Sequence, residues 1–186
     1  MSRSIYLGPW RVDVTIRDGI AAPVPTAALA RAMARAAEAA GAPRPASLGL
    51  ILTDDAELAS LNEAHLGKSG PTDVLSFPLL APESFPAHGG GMARSEPPVA
   101  PTAVFALPPG RRPSLGDVVI SVERAIEQAI EGRGGQTGDV RWKPGDELRL
   151  LATHGTLHLC GWDHAEPTEE AAMRGLESTL RAAGRR

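Results

Sequence analysis

Residues 153–164 read THGTLHLCGWDH, from Thr153 to His164, and hold three of the chain's five histidines. His154 and His158 stand four apart in a leucine-rich run that reads as a helix. Four residues advance a helix by about 6 Å and turn it ~40° past a full circle, so both imidazoles project from one face. Gly161 follows, and glycine tolerates the left-handed backbone that ends a helix and reverses the chain. His164 can then return beneath the first two rings. The spacing predicts three ring nitrogens converging on one point, about 2.0–2.1 Å from each.

Three neutral imidazoles leave the charge of a divalent cation uncompensated and one tetrahedral position open to water. A cation held in that way lowers the pKa of its water from about 15.7 to roughly 7, and it polarises a carbonyl or phosphoryl oxygen. A structural zinc site would favour cysteines and four protein ligands. The chain has one cysteine, Cys160, which points to a different helix face from His158 and reads as a core thiol. His154, His158 and His164 therefore read as an open metal site, whereas His65 and His88 read as solvated polar residues. The same histidine spacing occurs in metzincin peptidases, which carry a glutamate general base directly after the first histidine. Here that position is Gly155, which argues against peptidase chemistry. Asp163 reads either as a partner orienting an imidazole or the water, or as a turn aspartate bonding local backbone.

With 186 residues the chain is long enough for one domain with a real hydrophobic core. Apolar residues make up 42% and charged residues 22%, which places it among folded rather than disordered chains. A net charge of −3 argues against a surface that is wholly a nucleic-acid clamp, and leaves room for a local basic groove. Lys68 and Lys143 are the only lysines; the remaining positive charge is arginine, whose planar fork suits phosphate. One cysteine excludes an internal disulfide and fits a reducing compartment. No stretch reads as a signal peptide or a membrane span. The expectation is a cytoplasmic protein with no membrane partner.

Working outward, WRVDVTIRDG alternates, with Val12, Val14 and Ile16 on one face, and reads as a strand closed by a turn at Asp18-Gly19. PTAALARAMARAAEAAGAP reads as a helix with Thr26 as N-cap, ending at Gly41. SLGLILT reads as a buried strand, followed by a helix over DDAELASLNEAHLG with Asp54 and Glu57 at capping-box spacing and Gly67 at its C-terminus. PTDVLSFPLL reads as a strand cut by Pro78. A proline- and glycine-rich loop then spans about 81–113. LGDVVISV reads as a strand and ERAIEQAIEGRGG as a helix. After a second loop, Leu148, Leu151, Leu157 and Leu159 mark a largely buried helix with Asp146 as a cap, and PTEEAAMRGLESTLRAAG reads as a final amphipathic helix. No glycine-rich phosphate loop follows a strand, so a dinucleotide-binding fold is poorly supported. The element count predicts an α+β domain over residues 1–186, with a small mixed sheet of about four strands covered by helices.

HGTLHLCGWDH resembles the signature of the YbeY family of bacterial endoribonucleases, also called rRNA maturation factors. PTDVLSFP (71–78), LGDVVIS (115–121) and LNEAHLGK resemble further motifs of that family, in the same order, and the resemblance runs over roughly residues 10–183. It implies a zincin-like fold with one zinc ion on His154, His158 and His164. It also implies metal-dependent cleavage of single-stranded RNA, maturation of ribosomal RNA (notably the 16S 3′ end) and ribosome quality control, with ribosomal RNA and ribosomal proteins as partners. It places Thr72, Asp73 and Ser76 beside the metal as candidate substrate contacts, although packing and a strand start explain Thr72 and Asp73 equally well. Trp142, beside Arg141 and Lys143, reads as a stacking candidate or, more simply, as a loop tryptophan packed on the core. The family's motif has an arginine where this chain has Leu66. Lys68, Arg111 or Arg112 would have to supply that positive charge. Two other readings stand beside the nuclease: a non-catalytic, metal-stabilised ribosome-assembly factor, and a metal-dependent hydrolase of another substrate.

Overall fold

The structure, a computed structural model, describes residues 1–70, 72–87, 112–132 and 142–184. Its sheet has five strands in the order β1 (Ser2–Leu7), β2 (Trp10–Ile16), β3 (Ala46–Thr53), β5 (Ser114–Ser121) and β4 (Val74–Pro78). β2, β3 and β5 run parallel, while β1 and β4 close the two edges antiparallel. The expectation of about four strands is one short. β1 was missed because it is an edge strand, mostly exposed, so its side chains lack the apolar alternation that marks a buried face. It pairs Ile5 with Val12 and Leu7 with Trp10, turning at Gly8, whose φ is 61°.

Among the described residues five α-helices cover the sheet: α1 (Thr26–Ala39), α2 (Asp55–Leu66), α3 (Val122–Glu131), α4 (Pro144–Leu159) and α5 (Pro167–Ala183). The main core lies between the sheet face bearing Trp10, Val12, Val14, Leu48, Leu50, Leu52, Val118 and Ile120 and the helices α1 and α4. A smaller cluster on the opposite face joins Leu58 of α2 to Leu75 and Val119, with Ile51, Leu61 and Phe77 beside them. The molecule is therefore a mixed α+β fold. Among the described residues, no helix is long and apolar enough to cross a membrane.

Local chemistry explains most helix ends. Asp54 caps α2 by accepting from the Glu57 N–H at 2.8 Å, and Gly67 ends that helix with φ 63°. The capping box is not closed, because the Glu57 carboxylate is held by Arg17 and Thr53 instead. Thr26 is not the N-cap of α1. Pro25 takes that position, and the Thr26 hydroxyl accepts from Arg3 of β1. Asp146 sits inside α4 and accepts from the Lys143 N–H at 3.3 Å. Of the loop expected at 81–113, residues 82–84 form a 3₁₀ turn and Phe85 is buried in the core. Its residues 88–111, with His88 and Arg111, lie outside the described residues, as does Arg141.

Gly116 shows how closely the layers approach. Its φ is 130°, and a Cβ there would meet the Phe77 carbonyl oxygen at 2.2 Å and Leu159 of α4 at 3.0 Å. Gly116→Ala should therefore cost about 1–3 kcal/mol or more. Gly175→Ala, in the middle of α5 where a Cβ meets nothing within 4 Å, should stabilise by roughly 0.5–1 kcal/mol. Urea unfolding midpoints of the two variants should move in opposite directions.

Candidate metal centre

The centre is built on α4. Along this helix Leu148, Leu151, Ala152, Gly155, Thr156, Leu157 and Leu159 are buried, and His154 and His158 are half-buried. Gly155 faces the sheet. Its carbonyl accepts from the Ser76 hydroxyl at 3.1 Å, and a Cβ there would lie 2.6 Å from Val118 Cγ1. A side chain at 155 has no room. This is the physical reason for glycine where a metzincin peptidase carries its glutamate: the position points into the sheet, not into the site.

His154 and His158 leave the helix on another face. Their Nε2 atoms stand 3.1 Å apart and their ring centroids 4.6 Å apart. Gly161, with φ 80°, turns the chain after α4. His164 then comes back with its ring 5.0 Å from that of His158 and 5.6 Å from that of His154. One ring nitrogen from each of the three residues lies within 4.8 Å of the others. His154 and His164 open onto a cleft of about 410 Å³ between α4, α5 and the start of β4, whose other walls include Asp73, Met173, Arg174 and Arg181.

Two outer contacts fix the rings. His154 Nδ1–H donates to the Glu177 carboxylate of α5 at 2.7 Å, and His158 Nδ1–H donates to the Trp162 carbonyl at 2.8 Å. A carboxylate and a carbonyl can only accept, so each Nδ1 carries a proton, which leaves Nε2 as the nitrogen that each ring can offer to a cation. Burial lowers the His158 pKa to about 4, helped by the neighbouring His154 and His164 and opposed by the Trp162 carbonyl and Asp163. His158 is thus neutral at pH 7. The donor set, three imidazole nitrogens with two of the rings held by outer acceptors, suits a divalent transition metal.

The orienting carboxylate is Glu177, which lies twenty-three residues from His154 in sequence. Asp163 instead accepts from the backbone N–H of His164 at 2.7 Å, the turn role. Asp73 reaches the cleft wall, where its carboxylate accepts from the Val74 N–H at 2.9 Å and from Gln128 at 3.1 Å. Thr72 lies beside it, and its hydroxyl donates to Asp73 at 3.3 Å. Both residues precede β4 rather than lying on it. Ser76 is on β4, with its hydroxyl turned to the helix backbone. Cys160 is fully buried, and desolvation pushes its thiol up to about 12, as suits a core residue. Trp142 is packed rather than open: its indole N–H donates to Glu147, and Arg181 lies over its face at 5.5 Å. His65 is exposed at the end of α2. Leu66 beside it is also exposed. Arg112 does not supply the missing positive charge here, since it donates to the Pro9 carbonyl in the β1–β2 turn.

Glu177→Gln should weaken divalent-metal binding by about 10- to 100-fold, measured by competition with a chromogenic chelator. A second expectation concerns acid. The folded pKa of His158 lies below its value of 6.5 in the unfolded chain, so the unfolded state binds more protons between those values. Stability of the metal-free protein is then full above pH 6.5 and falls as the pH drops toward about 4. Denaturant midpoints between pH 7 and pH 4 should show this slope, and His158→Ala should flatten it.

The geometry can be set beside known proteins. The family model described as endoribonuclease YbeY matches residues 21–183. An endoribonuclease YbeY of Salinispora tropica is 36% identical over 94% of this chain and 97% of its own length. One from Roseiflexus sp. (strain RS-1) is 35% identical over 93% of this chain and 92% of its own. The solution structure of a Thermotoga maritima protein aligns with a TM-score of 0.47 at 17% identity, covering 92% of this chain and 91% of that one, too loose a likeness to bear on the fold. The family match takes in all three histidines, the glycine between α4 and His164, and the glutamate that holds His154, and the chain belongs to the YbeY endoribonuclease family.

Proposed function

We propose that this chain is a zinc-dependent endoribonuclease that cuts single-stranded RNA, matures ribosomal RNA (notably the 16S 3′ end) and serves ribosome quality control. The observation that carries the reading is the convergence of His154, His158 and His164 beside an open cleft, in a chain whose relatives bear the name endoribonuclease YbeY. The reading includes one zincin-like hydrolase domain over residues 1–186, a cytoplasmic location, and ribosomal RNA and ribosomal proteins as partners.

His154, His158 and His164 would hold the zinc, which supplies a Lewis acid and an acidified water when bound. Glu177 and the Trp162 carbonyl keep two rings in the ligating tautomer. Val74, Leu151 and Met173 give the open cleft its apolar wall. Arg174 lines the same cleft, 2.6 Å from Glu170. Its guanidinium can turn to a phosphate oxygen and oppose charge that builds up there. Asp73, anchored by Val74 and Gln128, presents an acceptor for a ribose hydroxyl or a water. Thr72 and Ser76 are the remaining candidate contacts, Ser76 only after releasing the Gly155 carbonyl.

Leu66 in the family arginine's place, with Arg112 engaged in the β1–β2 turn, favours one alternative: an assembly factor in which the metal only stabilises the fold. Cleavage of a ribosomal RNA fragment by purified protein should fall by about 100-fold or more on chelation or in His158→Ala, and return with added zinc. Cutting that survives both changes belongs to a contaminant. Normal ribosome maturation in cells whose only copy is a folded His158→Ala protein would establish the assembly-factor reading instead.

A further inference from the structure

An arginine cluster lies next to the metal cleft and shares Arg181 with it. Arg31 and Arg35 are exposed on α1, one turn apart and so on one face. With Arg149 of α4 and Arg181 of α5 they line a second concavity of about 220 Å³ between the three helices. Asp146 and Glu177 are the acidic side chains on its wall. Asp146 pairs with Arg149 at 3.0 Å, and Glu177 accepts from His154 at 2.7 Å. Among the described residues no ion pair reaches Arg31, Arg35 or Arg181. Gly184 at the end of α5 leaves room for Arg35, whose Nη1 would lie 3.2 Å from a Cβ there.

Guanidinium groups gathered around one hollow repel one another. In a chain of net charge −3 such a gathering is uneven, and an entering anion relieves it. The hollow is also continuous with the metal cleft, because Leu150, Glu177 and Arg181 line both. Arg174 and Arg181, seven apart and hence about 10.5 Å along one face of α5, both line the metal cleft. Asp73, Glu170 and Glu177 offset Arg174 and Arg181 in the metal cleft, whereas in the basin four arginines face Asp146 and Glu177, so the excess of positive charge lies on the basin side. Among the described residues no aromatic side chain lines the basin itself, and Trp142 stands behind Arg181.

We propose that this basin is a phosphate-binding site for the RNA strand flanking the scissile bond. Backbone phosphates a few nucleotides from the metal centre pair with Arg31, Arg35 and Arg181. The ligand class is the phosphodiester backbone of an unpaired strand, read without regard to sequence. The proposal rests on the nuclease reading above and adds to it the direction in which the strand runs.

The test uses the zinc-loaded protein, fluorescent single-stranded RNAs of about four and about twelve nucleotides, and anisotropy over a salt series, with cleavage followed in parallel. Wild-type protein binds the longer RNA more tightly. In Arg31→Ala/Arg35→Ala that advantage shrinks about tenfold, and the slope of log affinity against log salt falls by about 1.4, since each phosphate contact on a single strand contributes about 0.7. Arg11→Ala/Arg44→Ala removes the same charge elsewhere, from arginines paired with Asp13 and Glu38, and keeps the wild-type advantage. Equal loss in both double variants would reduce the effect to net charge and overturn the proposal. So would an intact length advantage in Arg31→Ala/Arg35→Ala, or displacement of the RNA by submillimolar inorganic phosphate, which marks a free-anion site. A protein that binds through the basin and cuts nothing retires the nuclease reading alone. One that cuts with the length advantage intact in the variant retires the basin alone.

Discussion

The close seating of α4 on β4 and β5 is the constraint on which the rest depends. At Gly155 the helix backbone comes near enough to the sheet for Ser76 to donate to a helix carbonyl and for Val118 to fill the space of a missing Cβ. At Gly116 the sheet leaves the same kind of room for Leu159. Leu148, Leu157 and Leu159 are fully buried, each contributing roughly 1.5–3 kcal/mol of apolar burial. With that face locked, the rotation of α4 about its own axis is fixed. His154 and His158 then emerge on the strip that faces α5, and the turn at Gly161 delivers His164 to them.

Half-burial gives His158 its chemical character. Desolvation keeps His158 uncharged far below neutral pH, and uncharged imidazole is the form that ligates. Burial alone would leave the ring orientations free. The Glu177 carboxylate and the Trp162 carbonyl remove that freedom from two of the three rings. One acceptor comes from the chain reversal that places His164, the other from a helix packed across α4. Closing the turn and docking α5 are therefore part of making the site, and the cleft they enclose is where a substrate would lie.

Positive charge is distributed unusually for the family motif, with Leu66 exposed at the end of α2 in the arginine's place. Lys68 is exposed nearby, and Arg112 faces the far edge of the sheet over Tyr6. The arginines that line the metal cleft, Arg174 and Arg181, come from α5, and Arg31, Arg35 and Arg149 of α1 and α4 line the neighbouring basin. Because these helices pack together, arginines far apart in sequence collect along one continuous surface. A net negative chain thereby gathers a local excess of arginine in the basin, which composition left open and could not locate.

What the sequence determined by itself is local. The i, i+4 histidines, the glycine after them and the returning third histidine are related through one helical turn and one reversal, both set by short-range backbone geometry. The parallel strands were legible because they are apolar on their buried faces. Asp54 and Gly67 were legible as helix ends for the same short-range reason. Whatever depends on contact between distant segments was decided only by the tertiary structure. Edge strand β1 carries too little buried surface to show a pattern. Thr26 resembled a cap until Pro25 took that place and Arg3 took its hydroxyl. Asp163, adjacent to His164, read equally as an orienting carboxylate or a turn aspartate; it takes the turn role, and Glu177 orients His154 from another helix. No spacing rule links residues 154 and 177: their contact exists because α5 folds back across α4, and it is packing of the whole molecule that selects which carboxylate meets which ring.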